Sequence, residues 1–255
     1  MKRIIFTIIF VLVTNAIFAQ YYMNIKKTDS STVTISTSDI SEITFTPPSC
    51  DVSTVSYEGK TYHTVSIGTQ CWLKENLDVG TRISSALDQT NNSTIEKYCY
   101  NDDTANCTTY GGLYQWAEAV QYQNGATNTT SPSPAFTGNV QGICPTGWHI
   151  PTNAEYTTLG TFVSSDGNAL KAVGQGTGDG AGTDSSGFSA LLSGYRNFWN
   201  SNFVDLGNST FFWSSSEYGD PSSVYQLDLG GYNGVFFQGT GQKTFGWSVR
   251  CLKDN

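Results

Sequence analysis

The 255-residue chain is poor in charged side chains and has almost no histidine. Lys, Arg, Asp and Glu make up 13% of the residues, against about 25% in an ordinary globular protein, and the only histidines are His63 and His149. The formal charge is −8 and no basic run is present, which disfavours nucleic-acid binding. Because the chain also lacks a Cys-x-x-Cys pair, neither a zinc cluster nor a redox dithiol is expected.

Aromatic residues and glycine are plentiful by contrast. The chain has 13% aromatic residues and 26 glycines, and its polar surface must come largely from hydroxyls and amides. A disordered chain lacks the aromatic surface whose burial offsets the entropy lost on ordering. The composition therefore indicates a folded, loop-rich extracellular domain.

The first nineteen residues have the pattern of a cleaved secretory signal. Lys2 and Arg3 precede the apolar run 4–13, and Ala19 ends the segment. A membrane anchor would need about 20 apolar residues, and Thr14 interrupts the run too early. Removal of residues 1–19 leaves 11 basic and 21 acidic side chains, a formal charge of −10, and no later segment is apolar enough to span a membrane.

Six cysteines in an exported chain are expected to form three disulfides. Six cysteines allow fifteen connectivities. The short polar loop between Cys99 and Cys107 favours a local bridge. More weakly, we expect Cys50 to pair with Cys71 across a hairpin and Cys144 to pair with Cys251 near the C-terminus.

The order of elements predicts two units and an α+β fold. Short apolar alternations in 20–47 predict a small β-strand segment, and Pro47 and Pro48 mark a boundary, so 48–255 is the main domain. A hairpin is expected around Glu58-Gly59-Lys60. Strand candidates in the second half of the chain are 188–192, 211–214, 224–229, 235–237 and 247–252.

Two helices are expected in the middle of the chain. The first begins after Gly111-Gly112, with a buried face at i, i+3, i+4 and i+7. The second begins at Thr152, which forms a capping box with Glu155. The expected buried residues are Leu113, Trp116, Ala117 and Val120 in the first helix, and Tyr156, Leu159, Phe162 and Val163 in the second.

Seven ordered segments resemble the Fibrobacter succinogenes major paralogous domain family over about residues 53 to 254. They are Ile67-Gly68-Thr69-Gln70-Cys71-Trp72, Glu75-Asn76-Leu77, the stretch Tyr110 to Trp116, the stretch Gly142 to Pro151, Gly187-Phe188-Ser189-Ala190-Leu191, Phe212-Trp213-Ser214-Ser215 and Ser248-Val249-Arg250-Cys251-Leu252. The segment 148–156 with 246–252 also looks like the formylglycine-generating-enzyme branch of the C-type lectin fold.

The resemblance implies a C-type lectin-like fold, with two helices packed on a twisted mixed β-sheet, long irregular loops and disulfide staples. The segment 20–47 resembles one that is common ahead of such domains in secreted Bacteroidetes proteins. The oxidase members need a second reactive thiol close to Cys251, and this chain has none there. The calcium-binding triplets of carbohydrate-binding lectins are also absent, so no cofactor is expected, although calcium stays open.

Two loops offer oxygen ligands for calcium, although solvated loops explain them as well. One contains Asn101, Asp102 and Asp103 between two cysteines, and the other contains Asp179, Asp184 and Ser185 in a glycine-rich stretch. The glycines of 174–182 lack the strand and helix that a phosphate-binding loop requires.

Residues 195–245 have the composition of a binding surface. Tyr and Trp offer contact area with few rotatable bonds, and Ser, Gly and Asn adapt their hydrogen bonds. Filling of the core explains any single one of these aromatic residues equally well. The candidate ligand contacts are Tyr195, Asn197, Trp199, Asn202, Tyr218, Tyr225, Asp228, Tyr232 and Asn233.

The leading hypothesis is therefore a secreted or cell-surface binding or adhesion module for an unknown protein or glycan. The family resemblance implies that the 195–245 face can be diversified by retroelements. One alternative is a structural component of an envelope or adhesion assembly. Another, less favoured, is an extracellular enzyme in which His149 pairs with Glu155 or Glu217, since no nucleophile or metal constellation accompanies them. Exposure on a helix explains Glu118 and Glu155 as well as acid–base chemistry does.

Overall fold

The computed structural model describes residues 22–26, 31–37, 50 and 53–254, and its contacts divide the chain into two compact units, 1–46 and 47–255. In the first unit, β1 (Tyr22–Lys26) and β2 (Thr32–Ser36) form an antiparallel hairpin. The predicted signal segment, 1–19, lies outside the described residues. Within the described ranges, no helix has both the length and the apolar character needed to cross a membrane.

The main unit contains a five-stranded antiparallel sheet that joins both ends of the domain. Its strands lie in the order β3-β4-β5-β14-β8. They are β3 (Thr54–Tyr57), β4 (Lys60–Ile67), β5 (Gln70–Leu73), β14 (Leu252–Lys253) and β8 (Trp148–His149). The predicted hairpin is present, and Gly59 takes the left-handed conformation in its turn, with φ +75°.

A second, three-stranded antiparallel sheet is built from the last third of the chain. It consists of β11 (Ser209–Glu217), β12 (Ser223–Gly230) and β13 (Phe236–Gln242). Two short pairs accompany it: β9 (Ser193–Arg196) with β10 (Phe203–Leu206), which is antiparallel, and β6 (Thr81–Arg82) with β7 (Glu96–Lys97), which is parallel. The expectation of a mixed main sheet is therefore wrong, because all pairings in the two larger sheets are antiparallel.

In the part of the chain that the structure describes, three α-helices accompany the sheets, and one of them exceeds two turns. They are α1 (Thr104–Tyr110), α2 (Trp116–Ala119) and α3 (Asn153–Phe162). The second predicted helix is confirmed as α3, and Thr152 and Glu155 form the expected capping box. Its buried face includes Tyr156 and Leu159, but Phe162 is 57% exposed, contrary to the prediction.

The first predicted helix is reduced to the single turn of α2. Leu113 and Tyr114 instead form β-bridges with Tyr98 and Trp247, so their backbone groups are engaged outside a helix. The side-chain spacing was compatible with a helix, but these backbone pairings decide the conformation. Glu118, expected to be exposed, is buried, and its Oε1 accepts a hydrogen bond from the Glu96 amide. The molecule is thus richer in sheet and poorer in helix than the sequence suggested.

The interior of the main unit consists of two apolar clusters. One lies around Trp116, Trp213 and Trp247, and the other lies between Trp72, α3 and one face of the three-stranded sheet. The segment 188–192, expected to be a strand, forms only a bridge from Ala190 to Lys171. Of the expected C-terminal strand 247–252, only Leu252 lies in a strand, while Trp247 and Ser248 make isolated bridges.

Three disulfides staple the main unit, and no free cysteine is present among its described residues. The pairs are Cys50–Cys71, Cys99–Cys107 and Cys144–Cys251, as the sequence analysis favoured. Their sequence separations differ widely, at 21, 8 and 107 residues. In the loop-entropy description, a bridge over a longer loop restricts the unfolded chain more strongly.

The bridges should therefore contribute unequally to stability. Replacing Cys144 and Cys251 together by alanine should lower the free energy of unfolding by about 5 kcal/mol, against about 2.5 kcal/mol for the Cys99 and Cys107 pair. Chemical denaturation of the two double variants measures both losses. All four cysteines are buried, so the short-loop pair is a matched control for lost packing. Equal losses would contradict the entropic account.

Candidate functional site

A partly exposed group of rings, which we call the aromatic face, lies on one side of the three-stranded sheet and on the adjoining β9 region. Its members are Tyr195, Phe198, Trp199, Phe211, Phe237 and Phe245. Phe211 and Phe237 lie on the same side of the sheet because both oppose Asp228 in the strand register. Trp199 is 80% exposed and Phe237 is 52% exposed.

Five of the six rings of the aromatic face, all except Phe237, form a continuous series that begins at the core and ends in solvent. The centroid distances are 4.2 Å from Trp199 to Phe198, 4.7 Å from Phe198 to Phe245, and 5.6 Å from Phe245 to Tyr195. The buried Trp247 then stacks on both Phe245 and Phe211 at 5.1 Å. Because each ring rests on another, the exposed Trp199 is supported from below rather than free to move.

Asp228 places a carboxylate among these rings. It lies between Phe211 and Phe237 in the strand register, and its side chain has no hydrogen-bond partner among the described residues. Burial, followed by the charge of Asp205, raises the pKa of Asp228 to about 6. Burial and then the charges of Asp205 and Asp228 also raise the pKa of the Tyr195 hydroxyl. The aromatic face therefore carries hydrogen-bonding groups that the protein itself leaves open.

Five of the nine predicted contacts belong to the aromatic face or to the loop that carries Trp199. Tyr195, Trp199 and Asp228 lie on the face itself. The Asn197 side chain accepts a hydrogen bond from the Trp199 amide and so shapes the loop. Asn202 is exposed in the same loop and lines a neighbouring surface cavity of about 420 Å³.

The other four predicted contacts lie elsewhere. Tyr218 and Tyr225 form an edge-to-face pair at 5.3 Å, and Tyr225 lies on the opposite side of β12 from Asp228. Tyr232 and Asn233 lie in the turn after β12, where the Tyr232 hydroxyl donates to Asn208. The nine residues therefore do not form one surface, because Tyr225 points to the other side of β12 from Asp228 and Tyr232 and Asn233 lie beyond the strand.

Sequence reasoning missed several members of the site. Phe198, Phe211, Phe245 and Asp205 were not among the candidates, although all lie within 195–245. The residues beside them in the chain gave no local signal of exposure. Phe211 and Phe237 are brought to Asp228 by the register of β12 against β11 and β13, which the sequence alone does not show.

Three of the four carboxylates in the loops considered for calcium bond to neighbouring groups of the protein, and the fourth, that of Asp179, is exposed. Asp102 accepts hydrogen bonds from Ser85 and contacts Arg82 at 3.3 Å, and the Asp103 side chain caps α1. Asp184 accepts from the Ser189 amide and hydroxyl. Within the described ranges, no cluster of three or more His, Cys, Asp or Glu side chains is arranged to hold a metal ion.

A buried ammonium group organises the glycine-rich loop instead. Lys171 Nζ donates to the carbonyl oxygens of Gly180, Gly230 and Asn233 at 2.6, 2.6 and 2.8 Å. These three bonds use all three donors of the ammonium group. Lys171 thus links the glycine-rich loop to the turn after β12 with a fixed positive charge.

His149, the histidine of the enzyme hypothesis, is buried between two carboxylates. Its Nδ1 lies 2.6 Å from Asp254 and its Nε2 lies 3.1 Å from Glu155, whose other oxygen caps α3. With both ring nitrogens engaged, neither is open to a substrate. Glu217, the other carboxylate considered, is paired with the buried Lys243 at 2.6 Å. The His149 hydrogen bonds tie β8, α3 and the C-terminal segment together.

The His149 environment predicts a specific pH dependence. Burial lowers the pKa of His149, but its hydrogen bonds and charge interactions with Glu155 and Asp254 outweigh that effect and raise it overall. The stability that it contributes is therefore complete below about pH 6.5 and is lost as the pH rises through the raised folded-state value. His149→Gln should remove this part of the decline in melting temperature above about pH 6.5.

The control is His63→Gln, because His63 is also bonded to a carboxylate, at 2.7 Å from Glu75, but is exposed. Thermal unfolding followed by circular dichroism over this pH range measures both variants. A wild-type decline that His149→Gln leaves intact would contradict the assignment.

The unpartnered carboxylate of Asp228 is expected to lower the stability of the folded protein. Because the pKa of Asp228 is raised, its ionised form destabilises the fold at neutral pH, and the cost disappears as the pH falls below the unfolded-state value of about 4. Asp228→Asn should raise the free energy of unfolding at about pH 8 by roughly 1–2 kcal/mol after allowance for solvent screening.

Urea denaturation at neutral and acidic pH measures this effect, with Asp179→Asn as the control, because Asp179 is exposed in the glycine-rich loop and does not act on Asp228. The gain in Asp228→Asn should vanish at acidic pH. A variant that is less stable than the wild type at neutral pH would show that the carboxylate is needed for the fold.

The comparisons with known proteins agree with the sequence resemblance. A family profile described as the Fibrobacter succinogenes major domain matches residues 65–253, which include every β-strand and helix of the main unit from β5 to β14. No curated protein and no solved structure matches the chain. Because the match spans well over half of the sequence, the chain belongs to the Fibrobacter succinogenes major domain family.

Proposed function

We propose that this protein is an exported binding or adhesion module whose aromatic face contacts a glycan. The observation that carries the proposal is the series of rings from the buried Trp247 to the exposed Trp199, beside the open carboxylate of Asp228. Stacked rings offer a rigid apolar surface for the face of a sugar ring, and the carboxylate accepts hydrogen bonds from hydroxyl groups.

A glycan accounts for this mixture of groups better than an apolar protein surface does. Asp205 and Asp228 are both carboxylates, and Tyr195 adds a hydroxyl between the rings. An apolar partner would bury these groups without hydrogen bonds, at a cost of about 1–3 kcal/mol for each. Since the carboxylates repel anions, we expect the ligand to be a neutral saccharide.

Two further proposals from the sequence fit this function: that the protein is exported and that its main unit has a lectin-like fold. Three disulfides are compatible with an extracellular protein. We propose that the main unit is a variant of the C-type lectin-like fold with a low helix content, and that 195–245 is the stretch available for diversification. The irregular stretch 197–202 and the turn after β12 would tolerate substitution more easily than the paired strands.

Substitution of the exposed tryptophan tests the proposal. On a glycan array, the wild-type protein should bind neutral saccharides, and Trp199→Ala should weaken binding by about tenfold or more, since one aromatic stacking contact contributes roughly 1–3 kcal/mol. Phe162→Ala is the matched control, because Phe162 is an exposed ring on α3 outside the aromatic face. Equal losses in both variants, or saccharide binding that does not depend on Trp199, would overturn the assignment.

The same experiment separates the alternatives. A protein array included beside the glycans would identify a protein partner if Trp199→Ala reduces that signal instead. A protein partner whose binding depends on residues 20–47 and not on Trp199 would favour the structural role in an envelope or adhesion assembly.

A further inference from the structure

A cavity of about 310 Å³ lies away from the aromatic face, at the junction of β5, α1 and the C-terminal segment. Its walls come from four of the segments that carry the family resemblance. Lining residues from these segments are Glu75, Asn76, Tyr110, Gly111, Ser189, Leu191 and Arg250. Four of the seven segments by which the chain resembles its family therefore meet at this cavity, whose volume is at the small end of the range for ligand pockets.

Arg250 supplies a buried positive charge to the cavity wall. Its side chain is fully buried and is stacked on Phe188, with 4.4 Å between the guanidinium carbon and the ring centroid. Its acceptors are the Asn76 amide oxygen and the carbonyl oxygens of Leu73 and Phe188. None of these is charged. Glu75 and Asp184 act on the guanidinium at longer range, but no described carboxylate lies within ion-pair distance of it.

One donor of Arg250 is left over. The guanidinium group has five N–H bonds, and the structure gives it four hydrogen bonds: one from Nε, two from Nη1 and one from Nη2. Burial lowers the pKa of Arg250 to about 10, so the group keeps its charge at neutral pH. A buried cation with a spare donor is most favourable when an anion completes its surroundings.

Two lysines add positive charge at the cavity. Lys74 forms no ion pair or hydrogen bond through its ammonium group among the described residues. Lys60 contacts Asp78 at 3.4 Å and also lines the cavity. The one acidic wall residue is Glu75, which is bonded to His63 at 2.7 Å. The wall is thus cationic in a chain whose formal charge is −8.

From this arrangement we propose that the cavity binds the carboxylate group of a small organic acid. Arg250 and Lys74 face the carboxylate, while Tyr110 and Leu191 pack against the remainder of the molecule. A single negative charge fits better than a phosphate dianion, because Glu75 lies on the same wall and would repel the second charge. The carboxylate can belong to a free acid or to a uronic acid residue of a polysaccharide.

Heteronuclear NMR titration of the purified protein tests this site. The probes are acetate, glucuronate and an oligogalacturonate, with glucose as the uncharged match for glucuronate. We expect saturable shifts of the Thr109, Gly111 and Leu191 amides with the carboxylates and none with glucose. Binding of free glucuronate points to a free acid, and saturation by the oligogalacturonate alone points to a polysaccharide.

Variants of Lys74 give the decisive comparison. Lys74→Gln should weaken carboxylate binding about three- to tenfold, and Lys74→Arg should restore it, because the expected effect is that of one partly exposed charge. Arg82→Gln removes a charge outside the cavity and should leave binding unchanged.

Two results would overturn the proposal. One is the absence of saturable shifts with all three carboxylates up to tens of millimolar, and the other is an equal affinity of wild-type and Lys74→Gln protein. Neither result bears on the aromatic face, which is tested through Trp199. Failure of one site is therefore distinguishable from failure of the other.

Discussion

The disulfide between Cys144 and Cys251 holds the C-terminal segment, Trp247 to Asp254, between the first and middle parts of the main unit. Leu252 pairs with Trp72 on one side and with His149 on the other, so the end of the chain completes the five-stranded sheet. A two-residue strand provides little stability by itself. The covalent link helps to keep it in place, and with it the pairings of Leu252 and the contact between Asp254 and His149.

Buried basic side chains satisfy backbone carbonyl groups that regular helices and sheets would otherwise pair with backbone amides. Four basic side chains are almost fully buried, namely Arg196, Arg250, Lys171 and Lys243. Each binds carbonyl or carboxylate oxygens, and three of them also lie over aromatic rings. Long irregular segments leave backbone carbonyls without partners, and these cations satisfy some of them. Charge therefore matters to this fold despite the low charge content, because four of the described basic residues lie in the interior.

The sequence predicted the features that depend on neighbouring residues. The capping box at Thr152, the hairpin around Gly59 and the local Cys99–Cys107 bridge each follow from a few consecutive positions. The first helix was misassigned because Leu113 and Tyr114 pair with Tyr98 and Trp247, and the latter lies 133 residues away from Tyr114 in the chain. Periodicity carries no information about such a distant partner. The nine candidate contacts scattered for the same reason, since their side of the sheet is set by register and not by composition.

Both candidate sites rest on the same C-terminal segment. Trp247 supports the aromatic face from below, and Arg250 forms part of the cavity wall three residues later, so their backbones are at most about 10 Å apart. The disulfide, the sheet pairing of Leu252 and the contact between Asp254 and His149 all restrain this stretch. A site built on restrained backbone loses little conformational entropy when a ligand binds. The fold therefore places several of its constraints beneath the two candidate surfaces, and the unpartnered carboxylate of Asp228 and the spare N–H donor of Arg250 persist there because the surrounding chain is held in place.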